Sequence, residues 1–248
     1  MHQNTNHLRN EFRGLRVAIT GGTSGLGLAM VRESLMRGAQ VAFVARGREG
    51  VESVARAHTG AYGVVGDVSK KDDTHRIALQ TVGLLGGLDV LINNASDLGP
   101  APLALLADTE CEDLERAIAA NVLGPFRLTK ALLGALALSA REGRGAVVLN
   151  VSSDAAINPY PRWGAYGMSK AALHHMSRIW NEELRAEGIA FLSLDPGDMD
   201  TPLHAMAVPD PDRSQLKRPE TAARELADAI DQLLAFMHSG RGMLEAAR

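Results

Sequence analysis

The feature that most constrains the fold is a glycine-rich turn between an apolar run and a helical pattern. The run Val17–Ile19 leads into Thr20–Gly27, which reads TGGTSGLG, and residues 26–36 then follow helical periodicity. Glycine permits positive φ angles and close approach of the backbone to a ligand, and free N–H groups at a helix N-terminus bind phosphate. Turns use glycine in general, so the flanking strand and helix are what indicate a dinucleotide site.

Short apolar runs recur along the chain and are separated by longer segments with helical spacing. These runs are residues 17–20, 41–45, 62–65, 89–92, 146–151 and 189–194. Such alternation predicts a parallel sheet with helices on both faces and ligands at the carboxyl ends of the strands. We therefore expect an α/β, three-layer Rossmann fold whose doubly wound parallel sheet has six to seven strands.

Three residues with active-site chemistry follow the fifth run or lie beyond it. Tyr166 and Lys170 share one face if residues 164–187 are helical, and Ser153 lies thirteen residues before Tyr166. A free phenol has a pKa of about 10, and a nearby cation lowers it. We expect Lys170 to lower the pKa of Tyr166 and Ser153 to bind a carbonyl oxygen. The alternatives are a Tyr and Lys spaced by chance on a helix surface and a serine in an ordinary turn.

The motifs together resemble those of the short-chain dehydrogenase/reductase family. The resemblance rests on Thr20–Gly27, Asn93–Ala95, Asn121, Ser153, Tyr166, Lys170 and Pro196–Gly197, in family order, and covers roughly residues 14–246. It implies an NAD(P)-dependent oxidoreductase that transfers a hydride between nicotinamide and a carbonyl or alcohol, with Tyr166 as general acid and base. It also implies a seventh strand at residues 240–246.

The resemblance implies further site residues. Asn121 holds a water that links Lys170 to solvent, and Lys170 also bonds the nicotinamide ribose; otherwise Asn121 is a polar residue that interrupts a helix over 110–138. With the glycine turn, the expected cofactor-binding residues are Gly21, Thr23, Ser24, Gly25, Leu26, Gly27, Arg46, Asp67, Val68, Asn94, Ala95, Tyr166, Lys170, Pro196, Gly197, Met199 and Thr201. Within this set the resemblance implies that Asp67 contacts adenine, Asn94 and Ala95 lie beside the adenosine ribose, and Thr201 lies near the nicotinamide amide. No residue is assigned to a metal.

The end of the second apolar run bears on the choice of cofactor. A chain that prefers NAD carries Asp or Glu about 20 residues beyond the glycine turn, but Val44–Arg48 reads VARGR here. Guanidinium geometry suits a phosphate. Arg46 therefore favours NADP(H), with NAD(H) possible, and its alternative role is to begin the next helix in solvent.

Two places depart from the usual family pattern or add to it. The usual Asn-Asn-Ala-Gly ends here in Ser96, so a side chain stands beside the expected nicotinamide position. Tyr160 and Trp163 lie close to Tyr166, and such rings either line an apolar substrate pocket or pack at a subunit contact.

The length and the loops bound the domain organisation. A chain of 248 residues with 46% hydrophobic content can bury one sizeable core. We expect a flexible N-terminal tail over residues 1–13 and a single domain over 14–248. The proline-containing segment 198–218 is expected to be a substrate lid, the alternative being an ordinary surface loop.

Charge and composition limit the partners. The net charge is −3 and no basic run is present, so we expect a small-molecule carbonyl or alcohol substrate, no nucleic acid and no membrane. The single cysteine, Cys111, excludes an internal disulfide and fits a reducing compartment. The first thirteen residues are polar and no run of about 18 apolar residues occurs, so a cytoplasmic location is expected. The family resemblance implies a homodimer or homotetramer.

Two other functions are compatible with a nucleotide-binding fold. An epimerase-type relative needs more chain after the sixth run than the roughly 50 residues present here. A silent nucleotide sensor or scaffold would have no need of Tyr166, Lys170 and Ser153, all of which are present. The substrate itself and the direction of reaction are not determined by these patterns.

Overall fold

The computed structural model describes residues 11–208 and 210–239. Its strands are β1 (Arg16–Thr20), β2 (Gln40–Ala45), β3 (Ala61–Val65), β4 (Val90–Asn93), β5 (Ala146–Val151) and β6 (Ile189–Leu194). Its helices are α1 (Gly25–Met36), α2 (Arg48–Ala57), α3 (Thr74–Leu85), α4 (Cys111–Ile118), α5 (Gly124–Arg141), α6 (Gly164–Leu184), α7 (Pro202–Ala207) and α8 (Pro219–His238). The six strands pair in parallel in the order β3-β2-β1-β4-β5-β6, which confirms the predicted fold. The expected seventh strand, at residues 240–246, lies outside the described residues.

Helices cover both faces of the sheet because successive strand residues point to opposite sides. Val17 and Ile19 belong to the core packed with α1 and α8, whereas Ala18 between them belongs to the core packed with α3 and α5. A strand buried on both faces reads as a continuous apolar run. This is why the runs in the sequence locate the strands to within one or two residues.

The start of the folded domain lies earlier than expected. Phe12 is fully buried in the core beside α1 and α8, and its backbone N–H donates to the Arg37 carbonyl at 3.1 Å. The Glu11 carboxylate pairs with the Arg37 guanidinium at 2.8 Å. The prediction of a flexible tail was therefore wrong for residues 11–13, because one buried aromatic in a polar segment produces no periodic pattern. Residues 1–10 lie outside the described part.

A buried carboxylate links several elements at the amino-terminal ends of the strands. Asp89 Oδ1 accepts hydrogen bonds from Arg16 Nη2 at 2.6 Å and Ser139 Oγ at 2.6 Å, and Oδ2 accepts from Arg144 Nη2 at 3.0 Å. Burial alone would raise the pKa of Asp89, but these hydrogen bonds outweigh it and hold the pKa well below its usual range. Asp89 thus links β1, α5 and the start of β5 at the edge opposite the strand ends where ligands bind.

One helical run is apolar enough for a different interpretation by composition alone. Residues Cys111–Arg141 have the length and hydropathy of a membrane-spanning helix. Leu128, Leu132 and Leu136 from this run are buried against the sheet. Core packing accounts for these apolar residues, as it does in the central helices of many folded proteins.

Candidate active site

A cavity of about 650 Å³ opens at the carboxyl ends of the strands. β1 pairs with β2 on one side and β4 on the other, so the strand order reverses here and leaves a crevice of the kind that binds nucleotides. The predicted site residues that line it are Gly21, Thr23, Ser24, Gly25, Leu26, Gly27, Arg46, Asp67, Val68, Asn94, Ala95, Ser153, Tyr166, Lys170, Pro196, Gly197, Met199 and Thr201. Asn121 is the exception and lies fully buried behind the cavity wall.

The glycine turn brings two backbone segments too close together for a side chain between them. A Cβ on Gly27 would lie 2.1 Å from the Gly21 carbonyl oxygen and 2.5 Å from Asn94 Nδ2. Gly21 and Gly25 have φ angles of +73° and +50°, a region that favours glycine. Because α1 begins at Gly25, its unpaired N–H groups belong to the cavity wall. The turn therefore fits the pyrophosphate of a dinucleotide.

Thr20 links the glycine turn to the segment that follows β4. The sequence analysis did not assign this role to it. Its Oγ1 accepts hydrogen bonds from the backbone N–H groups of Asn94 and Ala95, both at 3.0 Å. Asn94 Nδ2 donates to the Thr20 carbonyl at 2.9 Å. The amide group of Asn94 is thus used within the protein. A hydroxyl residue at the last position of a strand, directly before the glycines, is the signal that could have revealed Thr20.

The far end of the cavity carries one cation without a partner among the described residues. Arg46 follows β2 and is exposed on the cavity wall, and its side chain makes none of the ion pairs or hydrogen bonds found in residues 11–208 and 210–239. Its neighbour Arg48 instead lies on α2 and faces Glu52 at 3.9 Å. Asp67, after β3, accepts from Ser69 Oγ at 2.7 Å, which orients its carboxylate.

Tyr166 and Lys170 lie on one face of α6, as the spacing predicts. Tyr166 is 8% exposed and Lys170 is 2% exposed, and Lys170 Nζ donates to the Val151 carbonyl at 2.7 Å. The ammonium nitrogen lies 5.5 Å from the centre of the Tyr166 ring. The buried face of the helix therefore carries both groups to the end of β5.

The predicted lowering of the Tyr166 pKa is not what the chain produces by itself. Burial raises the pKa of Tyr166 to about 12, against opposing interactions with the Ser153 and Ser96 hydroxyls. Burial lowers the pKa of Lys170 to about 8. The Lys170 ammonium donates to the Val151 carbonyl, and burial of the phenol decides the direction of the Tyr166 pKa shift. Tyr166 is accordingly a neutral phenol, a proton donor, across the neutral range.

Ser153 and two aromatic residues form the wall beside Tyr166. Ser153 Oγ accepts from the Ala155 N–H at 3.2 Å and lies 3.3 Å from Asp154 Oδ1. Tyr160 donates its hydroxyl to Asp154 Oδ2 at 2.7 Å, and the Trp163 ring packs edge-on against Tyr166 at 5.6 Å. Tyr160 and Trp163 both line the cavity, which agrees with the pocket interpretation of the two.

Asn121 lies in a widened helical turn that the sequence prediction of one helix over 110–138 did not contain. α4 and α5 are separated by a π-helical turn, Ala119–Leu123. In a regular α-helix the Asn121 carbonyl would accept from residue 125, but Pro125 has no N–H and its ring would clash with that carbonyl. A π-helical turn removes this conflict, and such turns are frequent at functional sites. Pro125 is the sequence signal for it.

The segment after β6 closes the cavity on its other side. Gly197 has a φ of +78°, and its N–H donates to Asp195 Oδ1 at 2.9 Å. The Asp195 charge raises the pKa of both Tyr166 and Lys170. Thr201 caps α7 by accepting from the His204 N–H at 3.2 Å, and a Cβ on Gly25 would meet the Thr201 side chain at 3.3 Å. The start of α7 therefore lies across the glycine turn.

Comparison with known proteins gives concordant matches. The family model described as short chain dehydrogenase matches residues 16–212. A glucose 1-dehydrogenase of Gluconobacter oxydans is 30% identical over 239 residues, covering 92% of this chain and 87% of that protein. The crystal structure of a 3-ketoacyl-(acyl-carrier-protein) reductase from Brucella melitensis complexed with NADH has a TM-score of 0.82 at 29% identity, covering 87% of this chain and 90% of that chain. An alcohol dehydrogenase from Thermococcus sibiricus complexed with 5-hydroxy-NADP has a TM-score of 0.76 at 26% identity, covering 89% and 91%.

Proposed function

The chain belongs to the short-chain dehydrogenase family, and from this membership we propose that it reduces a ketone or aldehyde with NADPH, using Tyr166 as the proton donor. It is an oxidoreductase with a Rossmann-like fold. The observation that carries the proposal is that Ser153, Tyr166 and Lys170 line the same cavity as the glycine turn. That shared cavity does not favour a silent sensor or scaffold.

The proposed reaction uses a small number of groups on the cavity wall. The glycine turn and Lys170 would hold a nicotinamide dinucleotide, which would supply the hydride. Ser153 donates a hydrogen bond to the carbonyl oxygen of the substrate and polarises it. Tyr166 transfers its phenolic proton to that oxygen as negative charge develops there. Asn121 is buried behind the cavity wall and holds the surrounding segments in place through its hydrogen bonds.

The protonation state of Tyr166 before substrate binds suits the role of proton donor. A phenol with a pKa raised by burial keeps its proton at neutral pH and is ready to donate it. Oxidation of an alcohol would instead require the phenolate. The same residues serve either direction, and the neutral phenol is the form that is present before substrate binds.

The preference for NADPH rests on Arg46. Its exposed guanidinium lines the cavity, where a 2′-phosphate would find a cation with bidentate geometry. One similar structure holds NADH and another holds 5-hydroxy-NADP, so the relatives do not choose between the cofactors. NAD(H) remains the second candidate.

The cofactor test is a fluorescence titration with NADPH and NADH. Arg46→Ala is expected to weaken NADPH binding about tenfold or more while leaving NADH binding nearly unchanged, because a charge-assisted contact is lost. Arg48→Ala is the matched control, since Arg48 is on α2 and does not line the cavity. Equal losses for both nucleotides, or an NADH preference in the unaltered protein, would refute the NADPH assignment.

The catalytic test is NADPH oxidation with a panel of ketones and aldehydes. Tyr166→Phe is expected to reduce kcat by at least about a hundredfold, as for loss of a general acid, with nucleotide binding retained. Tyr62→Phe is the matched control because Tyr62 lies on β3 and outside the cavity lining. Full turnover in the Tyr166 variant would contradict its role.

We propose that residues 198–218 form the substrate lid of a single domain, whose described part begins at residue 11. The two ends of the segment are joined, because the Asp200 N–H donates to the Lys217 carbonyl at 3.1 Å and the Lys217 N–H to the Asp198 carbonyl at 2.9 Å. Between these ends, α7 presents Leu203 and Met206 to the cavity. Such a loop with fixed ends suits a cover over bound substrate.

We also propose a homodimer or homotetramer in the cytoplasm. Phe126, Leu138 and Ile179 are large apolar side chains left exposed on α5 and α6, and packing against another copy of the chain would remove their apolar surface from water. Cys111 is an exposed free thiol, which suits a reducing compartment. Light scattering after gel filtration measures the assembly, and a monomeric mass would contradict it.

A further inference from the structure

Asp154 places a carboxylate beside the hydroxyl that is proposed to bind the substrate carbonyl. It follows Ser153 in the segment after β5, and both residues line the cavity that also holds Tyr166. Ser153 Oγ donates to Asp154 Oδ1 at 3.3 Å. Nothing in the proposed reaction uses this carboxylate.

A second side chain fixes the Asp154 carboxylate in the cavity wall. Tyr160, which lines the same cavity, donates its hydroxyl to Asp154 Oδ2 at 2.7 Å. A carboxylate has about four acceptor positions on its two oxygens, so Ser153 and Tyr160 together use about half of them. Asp154 is exposed, and its other acceptor positions are open to a donor that enters the cavity.

Other carboxylates in the cavity wall have different partners. Asp97 and Asp195 each accept a hydrogen bond from a glycine N–H two residues further on, at 2.8 and 2.9 Å, so these two carboxylates hold their own loops. Asp198 Oδ1 lies 4.0 Å from His204 Nε2. Asp154 is therefore the carboxylate that lies next to the carbonyl-binding serine.

The cations of the cavity wall do not neutralise Asp154. Within residues 11–208 and 210–239 it takes part in no ion pair. Arg116 lines the cavity but pairs with Asp113, and Lys170 Nζ donates to the Val151 carbonyl. An ionised carboxylate accepts stronger hydrogen bonds than a neutral oxygen does, above all from a cation. The chemistry that Asp154 would recognise is thus a hydroxyl or an ammonium group.

We propose that Asp154 is a specificity-determining residue for carbonyl substrates that carry a hydroxyl or ammonium group on the carbon next to the carbonyl. The proposal rests on the proposed function, in which Ser153 binds the carbonyl oxygen. Because Asp154 Oδ1 lies 3.3 Å from Ser153 Oγ, a donor one carbon away from the carbonyl reaches the carboxylate while the carbonyl oxygen stays on Ser153.

Such a donor also releases the hydrogen of Ser153 for the substrate. A serine hydroxyl has one hydrogen, and Ser153 directs it to Asp154 while its oxygen accepts from the Ala155 N–H at 3.2 Å. The proposed reaction needs that hydrogen at the substrate carbonyl. When the hydroxyl or ammonium group of the substrate replaces Ser153 on Asp154, the carboxylate keeps a donor and Ser153 turns its hydrogen to the carbonyl oxygen.

The test compares three ketones of nearly the same shape. Hydroxyacetone, aminoacetone and butan-2-one carry a hydroxyl, an ammonium and a methyl group at the same position. The value of kcat/KM is measured for each with saturating NADPH, and the advantage of each donor is its ratio to the value for butan-2-one. The unaltered protein is expected to favour both donors about tenfold or more, because a site that hydrogen-bonds a substrate group discriminates against the analogue that lacks it.

Variants of Asp154 assign this preference to the carboxylate. Asp154→Ala is expected to remove both advantages. Asp154→Asn keeps an acceptor oxygen without the charge, so it is expected to lower the ammonium advantage about tenfold and the hydroxyl advantage less. Asp198→Asn is the matched control, since it removes a cavity-lining carboxylate that is not bonded to Ser153, and it is expected to leave both ratios unchanged.

Three results would overturn the proposal. They are equal kcat/KM values for the three ketones in the unaltered protein, advantages that persist in Asp154→Ala, and an equal loss in Asp198→Asn, which would indicate a diffuse effect of charge. Ratios taken within one protein cancel changes in stability and in cofactor binding, so a weakened variant still gives a result.

Binding to the protein saturated with NADP⁺ separates this proposal from the proposed function. NADP⁺ has no hydride to transfer to a ketone, so calorimetry measures the Kd of each ketone without turnover. Aminoacetone is expected to bind about tenfold more tightly than butan-2-one, and Asp154→Ala is expected to abolish the difference. If no ketone were reduced, the proposed function would fail, while this comparison would still decide whether Asp154 recognises the donor. Undetectable or equal binding of the three ketones, or a difference that persists in Asp154→Ala, would overturn that recognition.

Discussion

Replacing Gly27 by alanine tests the close backbone approach on which the nucleotide site depends. In an open helical position, glycine to alanine gains about 1 kcal/mol of helix propensity. At Gly27, however, the new Cβ would lie 2.1 Å from the Gly21 carbonyl oxygen, whereas Cβ contacts below 3.0 Å are essentially never seen. The two segments must therefore separate by about 0.9 Å, the difference between these distances, and strain of this kind costs about 1–3 kcal/mol.

The matched control is Gly83→Ala on α3, where a Cβ meets nothing within 4 Å. Both variants gain the same kind of helix propensity, so the difference between their unfolding free energies isolates the strain at Gly27. Gly83→Ala is expected to raise the Tm by about 2–4 °C. Gly27→Ala is expected to be less stable than Gly83→Ala by about 1–3 kcal/mol.

The assay combines urea denaturation with NADPH titration. Displacement of the turn is expected to weaken NADPH binding in Gly27→Ala and to leave it unchanged in Gly83→Ala, because the N–H groups at the start of α1 would no longer be aligned with the phosphates. Equal stability in the two variants would refute the close approach itself. Reduced stability with unchanged NADPH affinity would refute only the assignment of the turn to the cofactor.

Three further predictions concern the sheet edge, the phenol and the start of the domain. Asp89→Asn is expected to lower the unfolding free energy by about 3 kcal/mol at neutral pH. Because the folded-state pKa of Asp89 is depressed, the difference between the variant and the unaltered protein is lost as the pH falls below the unfolded-state pKa of about 3.9. Urea denaturation that gives the same difference in unfolding free energy in acid as at neutral pH would contradict this. Asp195→Asn removes a charge that raises the pKa of Tyr166, so the alkaline loss of reductase activity is expected to begin at a lower pH, and an unchanged pH profile of kcat/KM would argue against it. Phe12→Ala is expected to cost about 3–5 kcal/mol in urea denaturation, and a loss below about 0.5 kcal/mol would mean that residues 11–13 do not belong to the folded domain.

The sequence by itself determined the order and type of the elements. Strands buried on both faces read as nearly continuous apolar runs, so runs such as Ala146–Val151, in which Asn150 is the one polar residue, are visible without a structure. The positive φ angles and close contacts of the first turn require glycine, which made Gly21, Gly25 and Gly27 recognisable. The spacing of Tyr166 and Lys170 likewise follows from helix geometry alone. These features are local, and each residue type reports its own backbone environment.

Only the tertiary structure decided how distant side chains pair and how strongly they are desolvated. Phe12 was expected in a tail because its burial depends on packing with α1 and with α8, which is remote in sequence. The predicted lowering of the Tyr166 pKa was wrong because burial, which no local pattern records, raises it. Ser96 and Asn121 are 25 residues apart, and the π-helical turn brings them within hydrogen-bonding distance. Desolvation and hydrogen-bond partners depend on the whole fold, so the chemical state of this site is a property of the tertiary structure.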